Sequence, residues 1–470
     1  MKYFSNFFSS KAIIAYFTVL MICAWLFVPR SLPFLWIFFG LVSVFSFFYF
    51  TTVISFRWAD IQQDSFKKKL FWTALLIRIF YIVFIYFFYK SMTGIPFEFI
   101  PGDSTGYHTT ANELLDWFFR GALGWYFTHT LARFGIGDSG WELTITFLYL
   151  ISFRTIIVVR LFNALVSAGT VLLMYRVSQR NFGERAARIT GIMAMLLPQF
   201  IYFSGLHLKE TFMVFLLVAF IDRADLLLHS KNFRLGNIIQ IVLLGTSLFF
   251  FRTVLAVAAW FSLLSAFMLT SEKYMSKYRR IVIISWLLIG TLVVFSGKIL
   301  NDVSWYYGNR KHNQKGHYEF FSTREGGNKF SKYGSTAIFI PLIIPAPFPT
   351  LVNIPEQPNA MMTNGDIFTR NVYVFFVFVA FYVLFKRKRL RSNLLLSVFL
   401  ASYLLILANS GFALSPRFHV PALPFLLLFA GYGITQTNRN YSSYYLLYLI
   451  GISVVIVGWN WFKLAGRGLV

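Results

Sequence analysis

The stretch "RLFNALVSAGTVLLMYRVSQRNFGERAARITGIMAMLLPQFIYFSGLHLKE", residues 160–210, decides the fold class because it holds two apolar runs separated by a basic turn. Each run is close to the roughly 20 residues that cross a bilayer as a helix. The turn carries four arginines, and cytoplasmic loops of membrane proteins are enriched in arginine and lysine. The stretch therefore predicts a transmembrane hairpin whose turn lies in the cytoplasm.

The composition extends this prediction to the whole chain. Of 470 residues, 57% are hydrophobic and only 13% are charged, whereas about a quarter are charged in a typical soluble domain. We therefore predict an all-α polytopic membrane protein with about 13 transmembrane helices and two long extracytoplasmic loops. The predicted spans cover residues 12–29, 32–55, 70–90, 155–175, 187–204, 209–228, 236–250, 253–270, 280–298, 370–385, 392–410, 418–435 and 441–460.

The formal net charge of +25 has to be placed before it is interpreted. With the N-terminus inside, every dense basic loop falls on the cytoplasmic side, including "RWADIQQDSFKKK", "SEKYMSKYRR" and "KRKRLR". The charge therefore indicates orientation in the cytoplasmic membrane and contact with membrane lipids, and it does not indicate nucleic acid. The short apolar segment 142–153 is interpreted as interfacial or re-entrant, because counting it as a span would turn all later basic loops outward.

The chain divides into four regions on this topology. Residues 1–69 form an additional N-terminal pair of spans with a cytoplasmic loop, and residues 70–298 form a transmembrane core that includes the outward loop 91–154. Residues 299–369 form a second outward loop, basic at first and then rich in proline, and residues 370–470 hold the C-terminal helices. The prolines block a continuous helix, so we expect that part to lie on or dip into the outer leaflet.

The motifs restrict the chemistry more by what is missing than by what is present. No phosphate-binding loop, dinucleotide turn or metal-binding pattern occurs in the sequence, and Cys23 is the only cysteine. We expect no metal and no cofactor. An enzyme of this topology would act on the outward side, on substrates that are lipid-borne or already activated.

Asp103 is the best candidate for a reactive group, in the polar stretch "FIPGDSTGYHTTANELLDWF", residues 99–118. The alternative is that it only caps the following helix, since Asp before Ser-Thr is typical of a helix start. Residues 107–119 alternate apolar and polar side chains at helical spacing. This pattern predicts an amphipathic helix lying in the outer membrane interface, with aromatic residues at headgroup depth.

Cations at the outward ends of the spans form a second candidate feature. Ionisable groups at membrane depth are costly and indicate function by default. Taken together, the outward cations favour a binding site for a lipid-borne phosphate or pyrophosphate. The alternative for each single cation is that its side chain snorkels to the lipid headgroups. The set consists of Arg154, Arg160, Lys209, Arg252 and Arg417, with His207 and His419 in the same layer. Arg78 lies mid-span, where we expect it to snorkel inward. The cluster Asp222, Arg223 and Asp225 is interpreted as structural, at an inner end.

The outward stretch "GDSTGYHTTANEL", residues 160–210 and the late segment "SPRFHVPALPFLLLFAGYGI" together resemble the GT-C superfamily of polytopic glycosyltransferases. The likeness is closest to protein O-mannosyltransferases and lipid A aminoarabinose transferases. It runs from about residue 102 to 225, with a shorter echo at 417–424. Two features depart from the family: the acidic loop follows the third span instead of the first, and Ser104 replaces a second acid, for which Glu113 and Asp116 are possible substitutes.

The resemblance implies a GT-C-like fold, a polyprenyl-phosphate-linked sugar as donor and a lipid-linked glycan, lipid or protein as acceptor. It also implies that Asp103 is the general base, while Lys209, Arg252, Arg417 and, less clearly, Arg160 stabilise the leaving phosphate. Tyr107, His108, His207 and His419 are the further candidate substrate contacts.

Two other functions stay open. A polysaccharide polymerase or O-antigen ligase would use the outward arginines and histidines in place of Asp103. A transporter of lipid-linked glycans is the third reading, although paired repeats and broken spans typical of transporters are not evident.

Overall fold

The computed structural model describes residues 3–122, 124, 139–229, 235–269, 304, 308, 345, 347–410, 414–438 and 441–469. Nearly all the ordered structure in these ranges is helical, and the one β-bridge found there pairs Ser31 with Val352. The helices are α1 (Asn6–Leu26), α2 (Phe34–Arg57), α3 (Gln63–Thr93), α4 (Gly102–Phe119), α5 (Ser139–Ser152), α6 (Ile156–Phe182), α7 (Glu184–Leu196), α8 (Pro198–Ser204), α9 (Glu210–His229), α10 (Leu235–Phe249), α11 (Thr253–Leu269), α12 (Pro358–Met362), α13 (Asn364–Lys386), α14 (Leu394–Ser410), α15 (Leu423–Gln436) and α16 (Tyr441–Ala465). Short 3₁₀ helices cover Val28–Arg30, Leu390–Asn393 and Pro416–Ala422.

The prediction of an all-α polytopic membrane protein is confirmed, and the number of spans is not. In the described ranges, eight helices are long and apolar enough to cross a membrane, or nine when the bent pair α7–α8 is taken as one span. Helices α10 and α11 are apolar but only 15 and 17 residues long. The predicted span 280–298 lies outside the described residues, as does the basic segment 309–334 of the second loop.

The helices run back and forth between two ends of the molecule. We call the end formed by residues 58–62, 183, 387–393 and 437–438 the basic-loop end, and the end formed by residues 94–101, 205–209, 250–252 and 414–416 the site end. At the basic-loop end, Arg188 in α7 holds the turn 58–62, because its guanidinium donates to the carbonyls of Trp58, Ala59 and Ile61 at 2.6–3.0 Å.

Helices α13 and α15 form the buried centre of the bundle and pack against each other. Their apolar spans are 83% and 89% buried by other parts of the protein, whereas α2 and α3 are only 28% buried. A Cβ atom at Gly433 would overlap the carbonyl of Phe376, so the glycine lets the two backbones touch. Such small residues are typical of helix contacts inside membranes, where close packing replaces the hydrophobic effect.

Arg78 does not snorkel inward, contrary to the expectation from the sequence. The side chain is fully buried, and its guanidinium donates to Ser167 Oγ at 2.6 Å and to the carbonyls of Met195 and Ala194 at 3.3 and 3.4 Å. Pro198, which starts α8, has no N–H for the Ala194 carbonyl. Arg78 therefore supplies donors where the bend between α7 and α8 leaves carbonyls without helical partners.

Most of the described proline-rich residues, 347–358, are covered by protein, while Pro355 and Glu356 are exposed, and their expected position on or in the outer leaflet stays a prediction. Leu351, Val352 and Ile354 are at most 2% exposed. Asn460 of α16 accepts a hydrogen bond from the Leu351 N–H at 2.8 Å and donates to the Pro349 carbonyl at 3.1 Å. Non-helical backbone is tolerated at membrane depth only where protein or water satisfies it, and here α16 supplies the partners.

Candidate functional site

An ionic network at the site end joins residues from four separate parts of the chain. The Arg417 guanidinium forms ion pairs with the carboxylates of Asp103 and Glu210, and Arg252 lies 3.8 Å from the same Glu210 oxygen. The Arg252 guanidinium also lies 4.5 Å from the ring centroid of Phe418. The fold therefore brings together Asp103, Arg252 and Arg417, which are predicted from the sequence to belong to one site.

Local structure explains how each charge reaches the network. Asp103 lies in the first turn of α4, where a carboxylate is favoured by the partial positive charge of a helix start. The N-cap of α4 is Pro101 with no side-chain capping bond, so the interpretation of Asp103 as a cap is wrong. Glu210 is the first residue of α9. Arg417 follows Pro416 in the 3₁₀ helix that leads into α15.

Lys209 adds a third cation next to Glu210. The Lys209 side chain is buried, and its ammonium donates to the Phe251 carbonyl at 3.1 Å. Together with Arg252 and Arg417 it gives three cations against the two carboxylates Asp103 and Glu210, so this group of five charges is positive by one. Such an excess favours an anion.

A second polar group, built around Arg160, lies beside the network. The guanidinium is fully buried; Nη2 donates to the Pro96 carbonyl, while Nε and Nη1 make no hydrogen bond within the described part of the chain. His108 Nδ1 lies 2.6 Å from the Tyr149 hydroxyl, which lies 3.4 Å from His207 Nε2.

Burial keeps both of these imidazoles uncharged. It lowers the pKa of His108, and burial together with the charge of Arg160 lowers the pKa of His207 well below its usual value. A neutral imidazole donates with one ring nitrogen and accepts with the other. His207 Nδ1 has no hydrogen-bond partner in the described ranges, whereas both ring nitrogens of His108 lie within hydrogen-bond distance of Tyr149 and Asn112. Neither imidazole adds to the positive charge of the site.

Glu98, which is not among the residues predicted from the sequence, lies within the electrostatic reach of both Arg160 and Arg417 and so connects the two groups. Its side chain is 6% exposed, and Oε1 accepts a hydrogen bond from Ser104 Oγ at 2.7 Å. Burial raises the pKa of the Glu98 carboxyl, against the opposing effects of Ser104, Arg160 and Arg417. Ser104, which stands where the family pattern has a second acid, therefore holds a carboxylate that comes from six residues upstream.

A cavity of about 230 Å³ opens at the site end beside these groups. Glu98 and Arg417 line it from one side, the aromatic side chains of Tyr202 and Phe203 from another, and Asn359 and Thr363 from the chain around α12. Small-molecule sites are mostly apolar clefts with a few convergent polar groups. This cavity has that character, and its position links Arg417 of the ionic network to a volume that can hold a ligand.

The other predicted residues lie around this centre. Tyr107 is half-buried on α4 and is among the groups that act electrostatically on Arg417, and His419 is fully buried in the same 3₁₀ helix as Arg417. Arg154 instead forms an ion pair with Asp116. Asp116 is thus engaged with Arg154, and Glu113 is exposed.

Two functional candidates, Glu98 and Glu210, were missed for simple reasons. Glu98 directly precedes the polar stretch that drew attention, and Glu210 directly follows Lys209. The signal that could have identified Glu210 is the pair "KE" at the start of an apolar helix. Within the described ranges, no three histidine, cysteine or acidic side chains are grouped so that they could hold a metal ion.

Comparison with known proteins gives fold-level similarity alone. No protein-family model matches the chain, and no curated protein matches it in sequence. Among solved structures, the chain is similar to ArnT from Cupriavidus metallidurans bound to undecaprenyl phosphate, at 15% identity, a TM-score of 0.42 and coverage of 67% of this chain and 52% of that one. It is also similar to the Archaeoglobus fulgidus oligosaccharyltransferase in complex with Zn and sulfate, at 13% identity, a TM-score of 0.36 and coverage of 70% and 44%.

The chain thus spans about half the length of the solved structures it matches. Because both TM-scores are below 0.5, these similarities carry no argument about fold, activity, substrate or site residues, and the GT-C-like fold remains what the sequence resemblance implies.

Proposed function

We propose that this protein is a multi-pass glycosyltransferase of the cytoplasmic membrane that transfers a sugar from a polyprenyl-phosphate-linked donor to a glycan, glycolipid or protein acceptor on the extracytoplasmic face. The observation that carries the proposal is the position of Arg417. Its guanidinium is paired with Asp103 and also lines the cavity at the site end. The Arg417 guanidinium, a group that binds anions, therefore lies between the Asp103 carboxylate and a cavity that can hold a ligand.

Asp103 acts as the general base in this scheme. Its side chain is 60% exposed, so an acceptor can approach it, whereas Glu210 is fully buried. The carboxylate takes the proton of the acceptor hydroxyl, and the hydroxyl oxygen attacks the anomeric carbon of the donor sugar. The bond between that carbon and the phosphate oxygen breaks, and the lipid phosphate leaves with the electron pair.

Arg417, Arg252 and Lys209 stabilise the charge that develops on the leaving phosphate. Fixed cations in a site with little water stabilise such charge without reorganisation during the reaction. Arg417 suits a phosphate because its planar guanidinium donates two parallel hydrogen bonds. Glu210 holds Arg417 and Arg252 side by side, so it is a positioning residue and does not contact the substrate.

Binding of farnesyl phosphate to the protein in nanodiscs, together with transfer assays on farnesyl-phosphoryl sugars, tests this function. We expect Arg417→Leu to weaken farnesyl phosphate binding about 10- to 100-fold, since a charge-assisted hydrogen bond is lost, and Arg417→Lys to restore part of it. The matched control is Arg120→Leu, an exposed arginine at the end of α4, with unchanged binding. Equal binding and transfer by wild type and Arg417→Leu would refute the proposal.

One observation supports a second candidate, a polymerase or ligase that uses outward arginine and histidine. Tyr149 contacts both His108 and His207, and Arg160, whose charge acts on His207, has two nitrogens without a hydrogen bond in the described part of the chain. If this group carries the chemistry, His207→Gln abolishes product formation while Asp103→Asn remains active. The opposite pattern supports Asp103 as base.

A further inference from the structure

Two residues that line the cavity at the site end carry buried acceptor oxygens for which the described ranges supply no donor. Glu98 Oε2 and Asn359 Oδ1 are buried, and neither accepts a hydrogen bond from any residue in the described ranges. Both residues line the cavity. A buried acceptor without a donor costs about 1–3 kcal/mol, so two of them beside one space indicate that a ligand supplies the donors.

The remaining lining shows which kind of ligand fits. The polar side chains around the cavity are mostly carboxylates, amides and hydroxyls, which include Glu356, Gln357, Thr363 and Ser415, and Arg417 is the single cation among its lining residues. Tyr202 and Phe203 add aromatic surface. A ligand rich in hydroxyl donors, with apolar C–H faces between them, matches both sets of groups. That description fits a sugar.

The size and the position of the cavity limit the ligand further. Pockets for drug-sized ligands have volumes of about 300–1,000 Å³, so a cavity of about 230 Å³ suits a smaller ligand such as one ring. Arg417 lies at the point where the cavity meets the ionic network. A ring bound in the cavity would thus have its phosphate next to Arg417.

We propose that the cavity is the binding site for a single monosaccharide unit, and that Glu98 and Asn359 select it by accepting hydrogen bonds from its hydroxyl groups. This inference rests on the proposed function, because it assigns the sugar of the transferred group to this space. Glu98 is then a substrate-binding residue distinct from Asp103. Ser104 orients it by its hydrogen bond to Oε1.

The experiment compares lipid phosphate with and without a sugar. In nanodiscs, wild type should bind farnesyl-phosphoryl monosaccharides more tightly than farnesyl phosphate, and the preferred sugar is found from a panel of neutral hexoses, an amino sugar and a uronic acid. We expect Glu98→Gln and Asn359→Leu each to reduce the sugar-dependent part of the affinity about 10- to 100-fold. Binding of farnesyl phosphate itself should not change, because Arg417 is intact.

Glu113→Gln is the matched control, since it makes the same chemical change on the exposed side of α4. If Glu98→Gln raises KM for a sugar acceptor and leaves donor binding unchanged, the monosaccharide unit belongs to the acceptor and the site is still supported. If Glu98→Gln and Asn359→Leu bind and turn over every sugar like the wild type, the inference is wrong.

Failure of the proposed function gives a different result. Wild type would then bind no farnesyl phosphate, and Arg417→Leu would change nothing. Saturation-transfer NMR with free monosaccharides tests the cavity independently of the lipid. If wild type gives a signal with a free monosaccharide and Glu98→Gln does not, the sugar site is supported even though the proposed transferase function is wrong. If wild type gives no signal with any of these probes, both the sugar site and the transferase function are wrong.

Discussion

Two ionic networks in the described part of the chain pair arginine with buried acids, one at each end of the bundle. At the basic-loop end, Arg180 of α6 donates to Asp222 and Asp225 of α9 at 2.7 and 2.6 Å, and both carboxylates are at most 3% exposed. At the site end, Arg417 joins Asp103, which is 60% exposed, to the fully buried Glu210. The first network links two helices that already pack together. The second links α4, α9 and a 3₁₀ helix around a cavity.

The surroundings of the two networks distinguish a structural network from a candidate functional one better than the burial or the charge of their residues does. Both networks hold buried acids and arginines, and an isolated view of either would suggest a site. What distinguishes the site end is a ligand-sized space with unpartnered acceptor oxygens next to it. The basic-loop network has its acids fully engaged, so the interpretation of Asp222 and Asp225 as structural fits their geometry, with Arg180 rather than Arg223 as the main partner.

Removing Arg180 should give the largest loss of stability. Arg180→Leu removes the closest cation of the buried Asp222 and Asp225 and leaves only Arg223 and His229 near them. We expect this to cost about 3–5 kcal/mol, and transfer per folded molecule should be unchanged. Thermal unfolding in detergent measures it, with Arg176→Leu on the exposed face of the same helix as control. A thermal midpoint as high as that of the control variant would contradict a structural network at this end.

Removing Arg78 should have a smaller effect. Arg78→Met keeps the volume but leaves the carbonyls of Ala194 and Met195 without donors, and we expect a loss of about 1–3 kcal/mol in unfolding free energy. Adding Pro198→Ala returns an N–H to the helix and should recover part of the loss. A stability of Arg78→Met equal to that of wild type would show that the bend satisfies its carbonyls in another way.

The smallest predicted effect concerns His229. The hydrogen bond and the charge of Asp225 raise its pKa above 6.5, so its contribution is complete below pH 6.5 and is lost as the pH rises through the folded-state value. The His229 side chain is 36% exposed, so we expect only about 0.2–1 kcal/mol. Unfolding of wild type and His229→Gln between pH 6 and 9, at roughly one-unit steps, should converge at the alkaline end. A difference in unfolding free energy between the two proteins that stays constant with pH would disprove the coupling between His229 and Asp225.

Topology explains how much of the site the sequence could predict. Asp103, Lys209, Arg252 and Arg417 lie far apart in the chain, but each follows or begins a predicted span on the outward side. Orientation of the spans from the basic loops is therefore enough to put them in one layer. Arg160 and His207 were placed in that layer for the same reason.

The partners within that layer could not be predicted, because they depend on side-chain packing. Nothing in the sequence indicates that the 3₁₀ helix Pro416–Ala422 sets Arg417 between Asp103 and Glu210. Likewise, the burial of Glu98 depends on how loop 94–101 packs near Arg160 and α8. The predicted snorkelling of Arg78 was wrong for a related reason. Its distance from the end of the helix indicates its depth in the membrane, but it does not show that the bend between α7 and α8 lies beside it.

The most direct test of this account compares two matched neutralisations, Asp103→Asn at the site end and Asp225→Asn at the basic-loop end, by sugar transfer and thermal unfolding on the same preparations. We predict that Asp103→Asn lowers kcat about 10²- to 10⁴-fold, as expected for loss of a general base, with a nearly unchanged thermal midpoint. Asp225→Asn should lower the thermal midpoint and keep the turnover of each folded molecule. Full transfer by Asp103→Asn would contradict the central claim that the site-end network is catalytic.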